Sequence, residues 1–122
     1  MENKKSILVI DDNLMMLDLI KKMLEGQFNV STVNSAANAL AHLNNTNVDA
    51  ILLDIEMPNI SGFDFLYDIR RIPSYFKVPI IIVSGNSGQD FFNEARKSSA
   101  FDVLTKPVKK EKLIETIEKA LA

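Results

Sequence analysis

The chain reads as an α/β domain built on a parallel sheet with helices on both faces, and three observations carry that reading. Short apolar runs alternate with longer stretches of helical period, in the order βαβαβαβαβα. Ile7–Ile10 and Ala50–Leu53 contain no polar residue, and Val78–Val83 is equally apolar, as strands buried on both faces are. Each of these runs stops at acids, hydroxyls, Gly or Asn, where a chain leaving the sheet must turn before crossing back over it in a right-handed sense. At 122 residues and 47% hydrophobic content, the chain fits a single domain, 1–122, with its core between about 6 and 121.

After the first strand, Met16, Leu17, Ile20, Met23 and Leu24 recur at spacings of three and four, so Leu14–Leu24 is an amphipathic helix that Gly26 can close. Phe28, Val30 and Thr32 alternate with polar residues and form a less buried second strand at a sheet edge. Ser35 is placed to cap a helix running through Leu43, and the Asn44–Asn47 cluster breaks it. His42, the only histidine, is read as a surface residue of that helix and is given no role.

The third strand, Ala50–Asp54, leads through a loop to a helix from about Phe63 to Ile72, which Pro73 ends. A fourth strand over Val78–Val83 precedes a helix from about Gln89 to Ser98, with Phe92 and Ala95 facing inward and Phe91 less firmly placed. Phe101–Leu104 is the last strand, and Lys110–Leu121 a closing helix that buries Leu113, Ile114, Ile117 and Leu121.

Composition narrows the functions. With 14 basic and 16 acidic residues, and no long basic run, nothing marks a nucleic-acid surface. There is no cysteine, hence no disulfide framework, thiol nucleophile or zinc–cysteine site. The apolar run near the N-terminus is too short for a signal peptide or a membrane span, so a soluble cytoplasmic chain without membrane contact is expected.

The strand ends carry the chemistry. Asp11 and Asp12 follow the first strand, Asp54 ends the third, Ser84 follows the fourth and Lys106 the fifth. Singly each reads as a cap, a turn residue or a solvated charge. In a parallel sheet, however, all these ends share one edge, where ligands of such sheets bind. Three carboxylates gathered there repel one another unless a cation compensates them. An all-oxygen donor set favours a hard cation, and Mg²⁺ suits one or two carboxylates plus phosphate oxygens. A carboxylate can itself attack phosphorus, so Asp54 is the central candidate for an aspartyl phosphate, with Lys106 and Ser84 binding phosphoryl oxygens.

Taken together, Leu8-Val9-Ile10-Asp11-Asp12-Asn13, Leu52-Leu53-Asp54-Ile55-Glu56-Met57-Pro58 with Gly62, Pro79-Ile80-Ile81-Ile82-Val83-Ser84-Gly85 and Leu104-Thr105-Lys106-Pro107 closely resemble the receiver domain of two-component response regulators. The resemblance implies a flavodoxin-like, doubly wound sheet of five parallel strands in the order 2-1-3-4-5 with five helices. It implies that Asp54 accepts phosphate from a sensor histidine kinase or a histidine phosphotransfer protein. It further implies Mg²⁺ held by Asp12, Asp54 and the backbone carbonyl of Glu56, with Asp11 acting through water. Ser84 and Lys106 would bind the phosphoryl group, and the Lys106–Pro107 bond would be cis.

Phosphorylation in such domains remodels the face of the fourth helix, fifth strand and fifth helix, and so binding of a downstream protein target or output domain, or formation of a phosphorylation-dependent dimer. No output domain is expected in this chain. Two positions depart from the family pattern: Val103 stands where an aromatic residue is usual, and Ser99-Ala100 replaces the usual Gly-Ala. Phe101 shares strand parity with Val103 but lies farther from the site. A response through the loop after Ser84, with weaker side-chain coupling, is therefore expected. Glu56 and Asn86 occupy positions associated with phosphoryl lifetime, and Glu56 can either repel the departing phosphate or orient the attacking water.

Rival functions fit less well. A flavin-binding flavodoxin cradles phosphate in a hydroxyl-rich first loop, which here is acidic, and no Gly-x-x-x-x-Gly-Lys-[Ser/Thr] motif supports a P-loop nucleotidase. A phosphohydrolase using Asp54 and Glu56 shares the chemistry, but such enzymes carry two aspartates two apart on the first strand and usually a cap domain, and neither feature is found in this sequence. A phosphorylation-independent interaction module remains the other alternative, and it predicts no Mg²⁺ or beryllofluoride binding.

Overall fold

The computed structural model describes residues 3–58 and 60–122; Met1, Glu2 and Asn59 lie outside them. The elements are β1 (Ser6–Ile10), α1 (Leu14–Leu24), β2 (Asn29–Val33), α2 (Ala36–Asn45), β3 (Ala50–Asp54), α3 (Gly62–Arg70), a 3-10 turn (Pro73–Tyr75), β4 (Ile80–Ser84), α4 (Gln89–Lys97), β5 (Asp102–Thr105) and α5 (Lys110–Leu121). All strand pairs are parallel, in the order β2-β1-β3-β4-β5. The expected doubly wound sheet is present, with β2 at one edge.

Period-two side chains split the core in two. Ile7, Val9, Leu52, Ile81, Val83 and Leu104 pack on Leu17, Ile20 and Leu24 of α1 and Leu113 and Ile117 of α5. Leu8, Ile10, Ile51, Leu53, Ile80 and Ile82 pack on Leu43 of α2, Phe63, Leu66 and Ile69 of α3, and Phe91 and Ala95 of α4. Each large apolar side chain so buried contributes about 1.5–3 kcal/mol, and because both faces of β1, β3 and β4 are apolar, helices cover the sheet on either side.

Side chains cap the starts of α1, α2 and α3. Asn13 accepts from the Met15 and Met16 amides, Ser35 from Asn38 and Ser61 from Asp64. The α1 and α5 bounds match expectation, and other boundaries shift for physical reasons. α3 stops at Arg70, two residues early, because Pro73 opens the separate 3-10 turn. β4 starts after Pro79, which lacks an N–H, although its carbonyl still accepts from Ile51 at 3.0 Å.

β5 is Asp102–Thr105 and excludes Phe101, which is 47% exposed. The inward ring of α4 is Phe91, buried with its centroid 5.9 Å from that of Phe63, while Phe92 is only half-buried. His42 is half-buried rather than a surface residue, with Nε2 enclosed and without a hydrogen-bond partner among the described residues.

Candidate functional site

Parallel pairing brings the strand ends to one edge. Ile10 is level with Leu53, Asp54 with Val83 and Ser84 with Thr105, so Asp11, Asp54, Ser84 and Lys106 emerge side by side. One carboxylate oxygen each of Asp11, Asp12 and Asp54 lies within 4.8 Å of the others. Asp11 and Asp54 are buried, at 2% and 3% exposure, and Asp12 faces solvent.

Lys106 reaches between the buried acids, with Nζ 3.3 Å from Asp11 Oδ2 and 3.5 Å from Asp54 Oδ2. The Lys106–Pro107 peptide is cis, as the motif implied. The Lys106 amide donates to the Ser84 carbonyl at 2.8 Å, anchoring the lysine to the end of β4.

Burial, and next the Glu56 amide that donates to Oδ1 at 3.0 Å, set the state of Asp54. Burial wins: together with the nearby Asp11 charge it pushes the Asp54 carboxyl up to about 6, against the pull of Lys106. Lys106 titrates above the usual lysine range; burial opposes this, but Asp54 and Asp11 prevail. Three carboxylates face one ammonium, an excess of negative charge that a divalent cation would offset. The donor set is all oxygen, so the residues present fit Mg²⁺.

Ser84 is fully buried and is not turned toward Asp54. Its hydroxyl donates to Glu56 Oε1 at 2.8 Å and accepts from the Asn86 amide at 3.0 Å. The Gly85 amide donates to the same Glu56 oxygen at 2.9 Å. The Ser84 bond, outweighing a smaller burial effect, holds the Glu56 carboxyl below the usual carboxylate range. Every expected site residue is thus at this edge, but the Glu56 side chain joins Ser84 rather than the acids. That contact and the Gly85 amide escape sequence reasoning; the only signal for them is the position of Glu56 two residues beyond the strand end.

Gly62 fixes the loop that carries Glu56. A Cβ there would lie 2.5 Å from both Cα and the carbonyl oxygen of Ile55, so the chain folds back on itself too tightly for any side chain.

Fold and site together define a flavodoxin-like α/β domain with an acidic, lysine-bearing crevice at the carboxyl ends of its strands. The chain belongs to the response regulator receiver domain family, whose model matches residues 7–118. It is 34% identical over 120 residues to the transcriptional regulatory protein ZraR of Salmonella typhimurium, covering 98% of this chain but 27% of that protein. It is 30% identical to the CAI-1 autoinducer sensor kinase/phosphatase CqsS of Vibrio cholerae, covering 94% of the chain and 17% of the relative. The chain therefore spans about a quarter or less of these relatives.

Among solved structures, a response regulator receiver domain protein from Clostridium thermocellum aligns with TM-score 0.86 and 35% identity, over 96% of this chain and 94% of that one. The chemotaxis response regulator CheY4 of Vibrio cholerae aligns with TM-score 0.89 and 25% identity, over 98% and 100%. The chain is a two-component receiver domain with a phosphoacceptor signalling role, a signalling domain rather than a conventional enzyme. Among the described residues no helix is long and apolar enough to cross a membrane.

Proposed function

We propose that Asp54 is the phosphoacceptor, taking its phosphoryl group from a histidine kinase or histidine phosphotransfer protein in the cytoplasm. The observation that carries this reading is Lys106 lying between two buried carboxylates, Asp11 and Asp54, at the mouth of the sheet. An Asp54 carboxylate oxygen attacks phosphorus, the P–N bond of the donor imidazole breaks with its electron pair returning to the ring, and an acyl phosphate forms. Lys106 then neutralises charge on the phosphoryl group, and Ser84 supplies a hydroxyl donor once released from Glu56.

Asp12, Asp54 and the Glu56 carbonyl would hold Mg²⁺, with Asp11 acting through water. When bound, the cation offsets charge on the phosphoryl oxygens. Attack by water on the acyl phosphate later returns inorganic phosphate and the free carboxylate, a self-hydrolysis that resets the domain.

Release of Ser84 toward the phosphoryl group shifts the loop that leads into α4, and the α4/β5/α5 face changes with it. On that face Phe92, Ala95, Phe101 and Val103 help line a groove of about 400 Å³, the surface offered to a downstream target, an output domain or a second copy. Because Val103 is small and half-buried, the loop after Ser84 carries the response.

Intact mass after treatment with acetyl phosphate and Mg²⁺ tests the acceptor: wild type gains one phosphoryl group and Asp54→Asn gains none. Equal gain by both, or none by wild type, rules the assignment out. Amide shifts confined to the phosphate pocket on beryllofluoride binding would rule out the output response.

A further inference from the structure

We propose that the Glu56 side chain is an internal competitor for the phosphoryl group, a positioning residue that occupies the Ser84 hydroxyl and Gly85 amide until an anion on Asp54 takes them. The inference rests on Asp54 being the acceptor and concerns how that site is held before it is used. A single oxygen, Glu56 Oε1, accepts from Ser84 Oγ at 2.8 Å and from the Gly85 amide at 2.9 Å. A serine hydroxyl has one hydrogen to donate, so while it serves Glu56 it serves nothing on Asp54. The Asn86 amide, donating to Ser84 Oγ at 3.0 Å, holds the hydroxyl in this orientation.

Glu56 is also bonded to the acceptor itself, through its amide to Asp54 Oδ1 at 3.0 Å. Its carboxylate and a phosphoryl group on Asp54 would therefore compete, as two anions at close quarters, for the same two donors. The carboxylate is the one that yields: the Glu56 residue is exposed, forms no ion pair among the described residues, and water can replace the two bonds it gives up. The donors are delivered to the phosphoryl group only by breaking their bonds to Glu56, which couples occupancy of Asp54 to release of the Ser84–Gly85 segment. Substituting the side chain leaves the Glu56 backbone carbonyl in place for metal.

Beryllofluoride with Mg²⁺, titrated while amide chemical shifts are followed, tests the competition in wild type, Glu56→Gln and Glu56→Ala, and again in a Ser84→Ala background. Glu56→Ala is expected to bind about tenfold more tightly than wild type, the size of a charge-assisted hydrogen bond released. Glu56→Gln, which can still accept both bonds but carries no charge, falls between them. In the Ser84→Ala background the gain from Glu56→Ala drops to about threefold, leaving only the Gly85 contribution.

Without any ligand, Glu56→Ala should move the Gly85 amide proton upfield and speed its exchange with solvent. An undiminished gain in the Ser84→Ala background, or an unmoved Gly85 amide, overturns the competition. Failure of wild type to take up beryllofluoride, or equal uptake by Asp54→Asn, instead overturns the acceptor assignment beneath it.

Discussion

Arg70 Nε donates to the Ser99 hydroxyl at 2.7 Å while Nη2 donates to the Ser99 carbonyl at 3.0 Å, tying the end of α3 to the turn before β5. Nη1 of the same guanidinium donates to the Tyr75 carbonyl at 3.1 Å and to that of Val78. No carboxylate pairs with it among the described residues, and burial lowers its pKa. Arg70→Ala should cost about 3 kcal/mol in urea denaturation, because several acceptors lose one donor group, and Ser99→Gly about 1 kcal/mol. A loss below 1 kcal/mol in Arg70→Ala would show that water replaces the guanidinium freely.

Gly62→Ala places a methyl 2.5 Å from the Ile55 backbone, which no rotamer can relieve. Destabilisation of about 2–4 kcal/mol is expected, together with shifted amide resonances from Ile55 to Met57. An unchanged denaturation midpoint would contradict the close approach.

Asp54 holds its proton more tightly in the folded chain, up to about 6, than at its ordinary 3.8, so ionising it works against folding. The cost is absent below about pH 4, grows as pH rises through 6, and is full at neutral pH, at about 3 kcal/mol or less. Without divalent cations, Asp54→Asn should therefore melt higher than wild type at pH 7.5, and the difference should vanish by about pH 4. A variant no more stable than wild type at pH 7.5 would refute the raised pKa.

Mg²⁺ should relieve the same repulsion and raise the wild-type melting temperature, by about 2.7 kcal/mol of stability at a hundredfold excess over its Kd. Asp12→Ala removes an exposed acid from the cluster, so it should fold normally and lose most of that increment. Chelation should leave the variant unaffected and lower the wild type. An equal Mg²⁺ response in both proteins would take Asp12 out of the metal site.

The sheet and the acid cluster were legible in the sequence because strands buried on both faces are uninterrupted apolar runs, and because parallel topology sends all their ends to one edge. Asp11, Asp12, Asp54, Ser84 and Lys106 meet there for that reason alone. Boundaries at Pro79 and Phe101 were less legible, since both residues are apolar and each still makes one backbone bond to the neighbouring strand, Pro79 through its carbonyl and Phe101 through its amide. The choice of Phe91 over Phe92 turns on the roll of a short helix, which adjacent aromatic residues do not report. The partner of Ser99, which departs from the usual glycine, is a residue 29 positions away, and no local pattern announces it. The Glu56–Ser84 bond was hidden likewise, because it depends on where two loops come to rest.

The Arg70 contacts also divide the molecule mechanically. α4 leaves the sheet at the crevice through the exposed segment Gly85–Gly88, where no side chain caps its first turn, and returns at Ser98–Ser99, where the backbone is pinned. At its first turn α4 is held by Phe91 packed on Phe63, beside the acidic crevice, and at its last turn by the Ser99 backbone bonded to Arg70, at the opposite rim of the sheet. A displacement of Ser84 and Gly85 should therefore tilt α4 about Ser99 only as far as Phe91 can shift against Phe63, so that aromatic contact sets the range of the motion.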